Sequence, residues 1–272
     1  MSTVPSTNPK ISATLSPWEQ RVYLELAARQ IVRTSEGAEL LGKEKTARDI
    51  FSRLRLKGFA QRILRGVYLI VPPESLGREH VADPLVLASR IPRGEYFLSH
   101  HTALELHGIA HTVFSTVYVA VDRAHPRFTF QGTTYWFVST KHLFGITKTI
   151  RSGQEVQFSD LERTVVDCVR RPDLAGGLEE ILKSFASLPH LNGSRVLAHL
   201  ERIGERSIYH RLGFILSIVG NRARIPKELI RDLRDRLSMR VYYLLPGQKG
   251  GRLVKKWRLI VPENVQELIT GV

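Results

Sequence analysis

The chain has 272 residues and carries 40 Lys and Arg against 26 Asp and Glu, which gives it a net charge of +14. Its length favours two domains, and a hydrophobic fraction of 43% is ordinary for a protein that buries a core. The cationic excess attracts polyanions through its long-range field. Charge alone therefore allows three classes of partner: nucleic acid, an acidic membrane surface and an acidic protein.

The sequence excludes several other classes of protein. No apolar run approaches the roughly 18 residues that cross a bilayer, so we expect no membrane partner. Residues 1–16 are polar, lack the apolar core of a signal peptide and predict a disordered tail. The single cysteine, Cys168, excludes an internal disulfide framework and a cysteine-based zinc cluster. We expect a cytoplasmic protein.

The segment 17–73 predicts three short helices followed by a β-hairpin. Ser16 is a suitable N-cap with Pro17 at the first helical position, and Thr34 can cap a second helix that ends at Gly42. A third helix is predicted over about 43–57. Its apolar residues follow the i, i+3, i+4, i+7 spacing of one buried stripe. They are Ala47, Ile50, Phe51 and Leu54.

The hairpin consists of "FAQRI", a turn at Leu64, Arg65 and Gly66, and "VYLIV", which two prolines close. Three helices and a hairpin in this order are typical of a winged helix-turn-helix, which we therefore predict as the first domain. The remainder, 80–272, predicts strands followed by helices, an order that favours a larger mixed α+β domain over an alternating parallel sheet. The overall fold class is α+β.

The third helix and the hairpin are strongly cationic, with eight Lys and Arg against two acids between positions 43 and 65. In a helix-turn-helix the third helix enters the major groove, where Arg and Lys suit guanine and Ser suits a base or a phosphate. Residues at the helix start and on the wing reach the sugar-phosphate backbone. The predicted DNA-binding residues are Lys43, Lys45, Thr46, Arg48, Ser52, Arg53, Arg62 and Arg65.

The same charges have a simpler interpretation. The outer face of an amphipathic helix is usually just solvated, and Lys45 with Asp49 has the i, i+4 spacing of an ordinary ion pair. A second cationic cluster, with twelve Lys and Arg against three acids, spans 222–258. It offers a second candidate contact at Arg252, Lys255 and Lys256, for DNA, RNA or an acidic protein, or it is a solvated face.

Enzyme signatures are largely missing. His100, His101, His107 and His111 do not follow the H-E-x-x-H order of zinc proteases, so packing or capping roles are expected. Cys168 falls in an apolar helical register, which favours burial over nucleophilic catalysis. The chain has no P-loop, no dinucleotide-binding glycine pattern and no acid two positions before a Lys. We expect no enzyme activity and no cofactor.

Several ordered segments resemble AbiEi-type antitoxins, which pair with a nucleotidyltransferase-like toxin in type IV toxin–antitoxin systems. These are "RLRLKGFAQRILRGVYLI", "YFLSHHTALELHGI", "FSDLERTVVDCVRRPDLAGGLEEIL", "YHRLGFIL" and "VYYLLPGQKGGRLVKKWRLIV", within roughly 17–262. The resemblance implies an N-terminal winged helix that represses the protein's own promoter. It also implies a larger domain that supports repression and counters the toxin. Double-stranded DNA is the implied partner, and inverted half-sites follow if the protein binds as a pair.

Two alternatives remain open. One is an interaction module without a DNA role, whose basic faces neutralise an acidic partner. The other is a nuclease of unrecognised type, for which Asp160, Glu162 and Asp167 are the only local set of carboxylates. Ser159 and Glu162 have the spacing of a capping box, which favours a structural role for that set.

Overall fold

The computed structural model describes residues 14–220, 222–265 and 267. The chain is a mixed α+β protein, with ten α-helices and three β-sheets among the described residues. It divides into two compact units, the first ending at Ile91 and the second beginning at Pro92. A disordered tail was predicted for 1–16. Positions 1–13 of it lie outside the described residues, and Ser16 caps the first helix.

The first unit follows the order helix, strand, helix, helix, strand, strand, with one further helix at its end. These elements are α1 (Pro17–Ala27), β1 (Ile31–Arg33), α2 (Thr34–Leu41), α3 (Glu44–Leu56), β2 (Ala60–Leu64), β3 (Val67–Ile70) and α4 (Pro84–Arg90). The three strands form an antiparallel sheet in the order β1-β3-β2. Strand β1 was not predicted.

The first helix begins as the sequence predicts. The Ser16 hydroxyl accepts from the Glu19 amide at 3.3 Å, and the Glu19 carboxylate accepts from the Ser16 amide at 2.8 Å. Together with Pro17 at the first helical position, this reciprocal pair satisfies amides that would otherwise lack partners at the start of a helix. The predicted N-cap is confirmed.

The predicted cap of α2 is wrong by one residue. Thr34 is the first helical residue, and the N-cap is Arg33, whose amide donates to the Glu36 carboxylate at 2.6 Å. The reason is that Arg33 also ends β1, so the chain enters the helix directly from a strand. The helix ends at Gly42 in the left-handed region, as predicted.

Helix α3 carries the buried stripe that its spacing predicts. Ala47, Ile50, Phe51 and Leu54 are all 3% exposed or less and pack in the core of the first unit. The Phe51 ring stacks on Tyr68 of β3 with centroids 4.9 Å apart. The helix bounds differ from the predicted 43–57 by one residue at each end. The stripe fixes which face of α3 points away from the core.

The hairpin prediction is also confirmed. Strands β2 and β3 pair antiparallel, with Arg62 opposite Tyr68 and a register shift between Arg62 and Leu64. Gly66 adopts a positive φ of 77° in the turn, a conformation that glycine tolerates. The Gly66 carbonyl accepts from the Thr34 amide at 2.9 Å, which ties the turn to the start of α2.

The first compact unit ends at Ile91 and includes α4, whereas the second domain was predicted to begin at residue 80. A guanidinium nitrogen of Arg33 donates to the carbonyls of Arg90 and Ile91 at 2.7 and 2.6 Å. Arg90 in turn lies 3.3 Å from Glu36. These non-local bonds hold α4 beside α2, and no local sequence signal announces them.

The second unit is built on a six-stranded mixed sheet in the order β6-β7-β5-β4-β9-β8. Its strands are β4 (Tyr96–Leu98), β5 (Thr116–Val121), β6 (Phe128–Phe130), β7 (Thr133–Ser139), β8 (Ile146–Arg151) and β9 (Gln154–Ser159). The pairs β5–β7 and β4–β9 are parallel, and the other pairs are antiparallel.

Helices and a small sheet complete this unit. The helices are α5 (His100–Leu106), α6 (Leu161–Arg170), α7 (Gly177–Ala186), α8 (Gly193–Ile203), α9 (Arg206–Val219) and α10 (Lys227–Asp235). The second sheet has the order β10-β12-β11, with strands β10 (Tyr242–Tyr243), β11 (Arg252–Val254) and β12 (Leu259–Val261). Buried side chains from α6 to α10 and from β12 form one continuous core.

Two predictions for this unit are wrong in detail. The cap of α6 is Asp160, which accepts from the Arg163 amide at 2.7 Å, whereas Ser159 ends β9 and bonds Thr164. Glu162 accepts from the Asn192 amide instead of closing a capping box. The stretch "KKWRLIV" is not one strand, because a 3-10 turn (Lys255–Trp257) buries the tryptophan before β12 begins. Helix α10 was not predicted.

None of the helices in the described residues is both long and apolar enough to cross a bilayer.

Candidate nucleic-acid interface

The outer face of α3 is cationic and exposed. Opposite the buried stripe, Lys45, Arg48 and Arg53 are exposed, and Thr46 and Ser52 are half-buried beside them. Lys43, the N-cap, is exposed at the start of the helix. None of the predicted residues of this helix belongs to its buried stripe, and the four cations are exposed to a partner.

Few of these cations are held by acids. Arg48 lies 3.3 Å from Glu44, but both side chains are more than 60% exposed, and such a pair contributes little. Within the described residues, Lys45 and Asp49 form no ion pair, so the simpler interpretation of that spacing does not hold. A cation without a partner carries no competing contact to break before it binds an anion.

Lys57 is an exception among the cations counted from the sequence. Its ammonium donates to the Glu19 carboxylate at 2.7 Å and to the Thr14 carbonyl at 3.1 Å. The bond from Lys57 holds the pKa of Glu19 below its usual value, helped by the Ser16 amide. Lys57 thus fastens the end of α3 to the start of α1, and is not available to a partner.

The hairpin adds two cations to this surface. Arg62 lies on β2 and Arg65 in the turn, and both side chains are exposed. Neither forms an ion pair within the part of the chain that the structure describes. Helix α3 and the hairpin follow each other in sequence and belong to the same compact unit. We group the predicted contact residues of both elements under the name α3–hairpin face: Lys43, Lys45, Thr46, Arg48, Ser52, Arg53, Arg62 and Arg65.

The three residues of the second candidate contact do not all line one cleft. Arg252 lies on β11, and Lys255 and Lys256 lie on the 3-10 turn, all exposed. Lys256 borders a cleft of about 200 Å³ with three cations of α10 and Ile230. Those cations are Lys227, Arg231 and Arg234. Arg252 and Lys255 do not line this cleft.

The histidines have structural surroundings. His101 is fully buried, lies 3.2 Å from Glu105 and 3.4 Å from Glu180, and packs on Phe114. His107 donates from Nε2 to the Ser159 carbonyl when that nitrogen is protonated, at 2.9 Å. Among the described residues, no group of three or more His, Cys, Asp or Glu is placed to hold a metal ion.

The remaining candidates for chemistry also have separate surroundings. Cys168 is buried, as predicted, and burial raises the pKa of its thiol well above the usual value. Asp160 lies 3.2 Å from His199, and Asp167 lies 2.9 Å from Arg163. With Glu162 bonded to Asn192, each carboxylate of the nuclease alternative has its own protein partner.

Comparison with known proteins identifies a similar fold. No known family matches the sequence, and no curated protein matches it. The fold is similar to that of the Rv2827c protein from Mycobacterium tuberculosis. A crystal structure of that protein superposes with a TM-score of 0.66, over 97% of each chain, at 14% sequence identity. At that identity the likeness concerns the fold alone, so the resemblance to AbiEi-type antitoxins stays a prediction.

Sequence reasoning missed two clusters. The α10 cleft escaped it because α10 was not predicted. A pocket beneath α6, lined by His100 and Arg163 among others, escaped it because its residues come from five separate elements. The "SHH" run and the arginines around Cys168 were visible in the sequence, but nothing local indicated that they meet.

Proposed function

We propose that this protein binds double-stranded DNA through a winged helix-turn-helix, represses its own promoter, and acts as the antitoxin of a type IV toxin–antitoxin pair. The observation that carries the DNA-binding part is the α3–hairpin face. None of its predicted contact residues is buried in the core, and only Arg48 among its cations has an acidic partner in the described residues. The antitoxin part rests on the sequence resemblance.

The order of elements in the first unit supports the winged-helix assignment. Helices α2 and α3 are joined by a short turn at Gly42, which is a common connection in helix-turn-helix motifs. The β2–β3 hairpin follows α3 directly, in the position of a wing. Strand β1 pairs with β3 and adds the third strand of the small sheet.

In this proposal α3 enters the major groove. Residues on its first turns reach base edges, where Lys45 and Arg48 suit guanine and Ser52 suits a base or a phosphate. Arg62 and Arg65 contact the sugar-phosphate backbone and position the protein without reading sequence. A bound protein would repress by occluding the promoter. Binding as a pair predicts inverted half-sites about one helical turn apart.

The deciding experiment measures binding of the full-length protein to its own upstream DNA and to scrambled DNA of equal length, across a salt series. Specific recognition predicts an upstream site tighter by roughly a thousandfold or more at physiological salt. Similar affinities that fall together with salt would indicate counterion release alone. That outcome would reduce the α3–hairpin face to a general polyanion-binding surface.

A second candidate function rests on the α10 cleft. Four cations border it, and Lys227, Arg234 and Lys256 have no ion-pair partner among the described residues. Such a cleft suits an acidic protein, and the nucleotidyltransferase-like toxin implied by the resemblance is the partner to test. Capture of that toxin by the wild type, and its loss with Arg231→Glu and Arg234→Glu, would support this function. Unchanged capture would contradict it.

A further inference from the structure

We propose that the second unit contains a binding pocket for a single phosphate group, either free or carried by a small phosphate monoester. The pocket lies between the six-stranded sheet and α6. This inference goes beyond the proposed function, because it uses none of the residues of the α3–hairpin face. It also concerns a small molecule instead of a macromolecule.

The cavity has a volume of about 90 Å³. Its apolar floor is formed by Phe97 of β4, Ala120 of β5 and Val138 of β7, three neighbouring strands of the sheet. A cavity of this volume holds several water molecules. It also accommodates a phosphate group.

A buried arginine lies at the inner end. Arg163 is 1% exposed, and its guanidinium donates from Nε to Asp167 at 2.9 Å and from Nη1 to the Phe144 carbonyl at 3.1 Å. The third nitrogen, Nη2, has no hydrogen-bond partner among the described residues, and Arg163 lines the cavity. Its remaining N–H groups are therefore available to an anion bound there.

Two more arginines line the cavity from the end of α6. Arg170 contacts Glu205 through Nε and Nη2, and Arg171 contacts Asp173 through the same two atoms. Each guanidinium is therefore fixed by a carboxylate while its Nη1 has no partner in the described part of the chain. The side chains are 29% and 43% exposed, so these residues mark the mouth of the cavity.

A histidine in an unusual backbone conformation completes the wall. His100 is 6% exposed and has a positive φ of 52°, which is uncommon for a residue other than glycine. Its Nδ1 lies 2.8 Å from the Ser99 hydroxyl, and its Nε2 has no partner among the described residues. Burial lowers the pKa of His100 to about 4, so the ring is neutral at physiological pH. When Ser99 donates to Nδ1, Nε2 carries a proton that it can donate.

The number of donors favours phosphate over carboxylate. Three guanidinium groups, one imidazole and the Thr140 hydroxyl, which accepts from the His142 amide at 3.1 Å and keeps its own proton free, line one small space. A phosphate has three strong terminal acceptors, whereas a carboxylate has two. Asp167 also lines the cavity, but its charge is taken up by Arg163. The competing interpretation is a water-filled cavity in which the arginines only form ion pairs.

Calorimetric titration of the full-length protein, without DNA, distinguishes these possibilities. The probes are inorganic phosphate and adenosine 5′-monophosphate, each against chloride at equal ionic strength. We expect saturable binding of one molecule per chain for at least one probe. Binding of inorganic phosphate alone would identify the ligand as the free ion, and binding of the nucleotide would identify a monoester. No saturable binding of either at about 10 mM, well above a 1 mM dissociation constant, would overturn the proposal.

Variants separate this pocket from general attraction to a basic protein. Arg171→Gln and His100→Gln should each weaken binding roughly tenfold or more, because each removes a donor to the anion. Arg170→Gln replaces either variant if it does not fold, as judged by circular dichroism. The matched control is Arg195→Gln, an exposed arginine of the same unit that lies 3.8 Å from Glu162 outside the cavity. Equal binding by the pocket variants and the control would show adventitious ion binding and overturn the proposal. Neither result bears on the proposed DNA binding, because the pocket shares no residue with the α3–hairpin face.

Discussion

Lys57 at the end of α3 and Glu19 at the start of α1 form a 2.7 Å ion pair in which the carboxylate is only 3% exposed. The pair links residues 38 positions apart. It orients α3, since the same helix packs its apolar stripe against the residues that follow Glu19 in α1. The position of the α3–hairpin face therefore depends on the contact that Lys57, the cation directly after α3, makes with Glu19.

Breaking this pair should destabilise the first unit. Lys57→Met leaves a buried carboxylate without its charged partner, and we expect a loss of about 1.5–3 kcal/mol in the free energy of unfolding. Because the folded pKa of Glu19 is lowered, its ionised form favours the folded state. The stabilisation is present at neutral pH and disappears as the pH falls through that lowered pKa.

Denaturant unfolding of the wild type and of Lys57→Met checks this, at neutral pH and at acidic pH where carboxylates become protonated. The difference in the free energy of unfolding between the two proteins should shrink towards low pH. A difference that stays constant over that range would show that the pair contributes no charge-dependent stability. Arg55→Met, which changes an exposed cation of the same helix, is the control and should have a small effect.

Base contacts from α3 predict a sequence-dependent loss. The Lys45→Ala, Arg48→Ala double variant should lose roughly 1–3 kcal/mol per base contact on its own upstream DNA, and much less on scrambled DNA. Fluorescence anisotropy titration measures both. Arg21→Ala, an exposed cation on α1, is the control. A folded double variant with unchanged upstream affinity would rule out this docking of α3.

The hairpin should behave differently from α3. In the proposed complex Arg62 and Arg65 each contact a phosphate. Arg62→Ala and Arg65→Ala should therefore weaken binding to upstream and to scrambled DNA by similar factors. A plot of log affinity against log salt concentration has a negative slope, and its magnitude should decrease by about 1 for each variant. If either change weakened only the upstream DNA, the residue would read sequence and the wing would need a different placement.

The sequence predicted what local patterns encode. The stripe from Ala47 to Leu54 repeats with the helical period, and a glycine marks the turn of the hairpin, so α3 and both hairpin strands were predicted nearly to the residue. These are the elements that carry the α3–hairpin face. Their charges were visible for the same reason, since exposed positions on an amphipathic helix follow once its buried stripe is known.

The contacts that the sequence could not predict are non-local. Strand β1 has three residues, too few for an alternating pattern, and exists because it pairs with β3. Lys57 was taken for one more surface cation, because no nearby residue indicated that it pairs with Glu19. Helix α10 buries only Leu229 and Leu233 within a charged run, a signal too weak to distinguish it from a loop. His100 and Arg163 meet only once the sheet and α6 are packed.

Helices α2 and α3 approach each other closely at Gly37. A Cβ atom added at Gly37 would lie 2.5 Å from Cε2 of Phe51, whose ring is fully buried and stacked on Tyr68. Because the ring is buried and stacked, Gly37→Ala should cost about 1–3 kcal/mol by overpacking, despite the better helix propensity of alanine. Thermal unfolding measures the loss. Adding Phe51→Leu should make the alanine far less costly, because the shorter side chain removes the clash. A Gly37→Ala variant as stable as the wild type would mean that α2 and α3 are not packed this closely, and the face that α3 presents to DNA would then have to be placed anew.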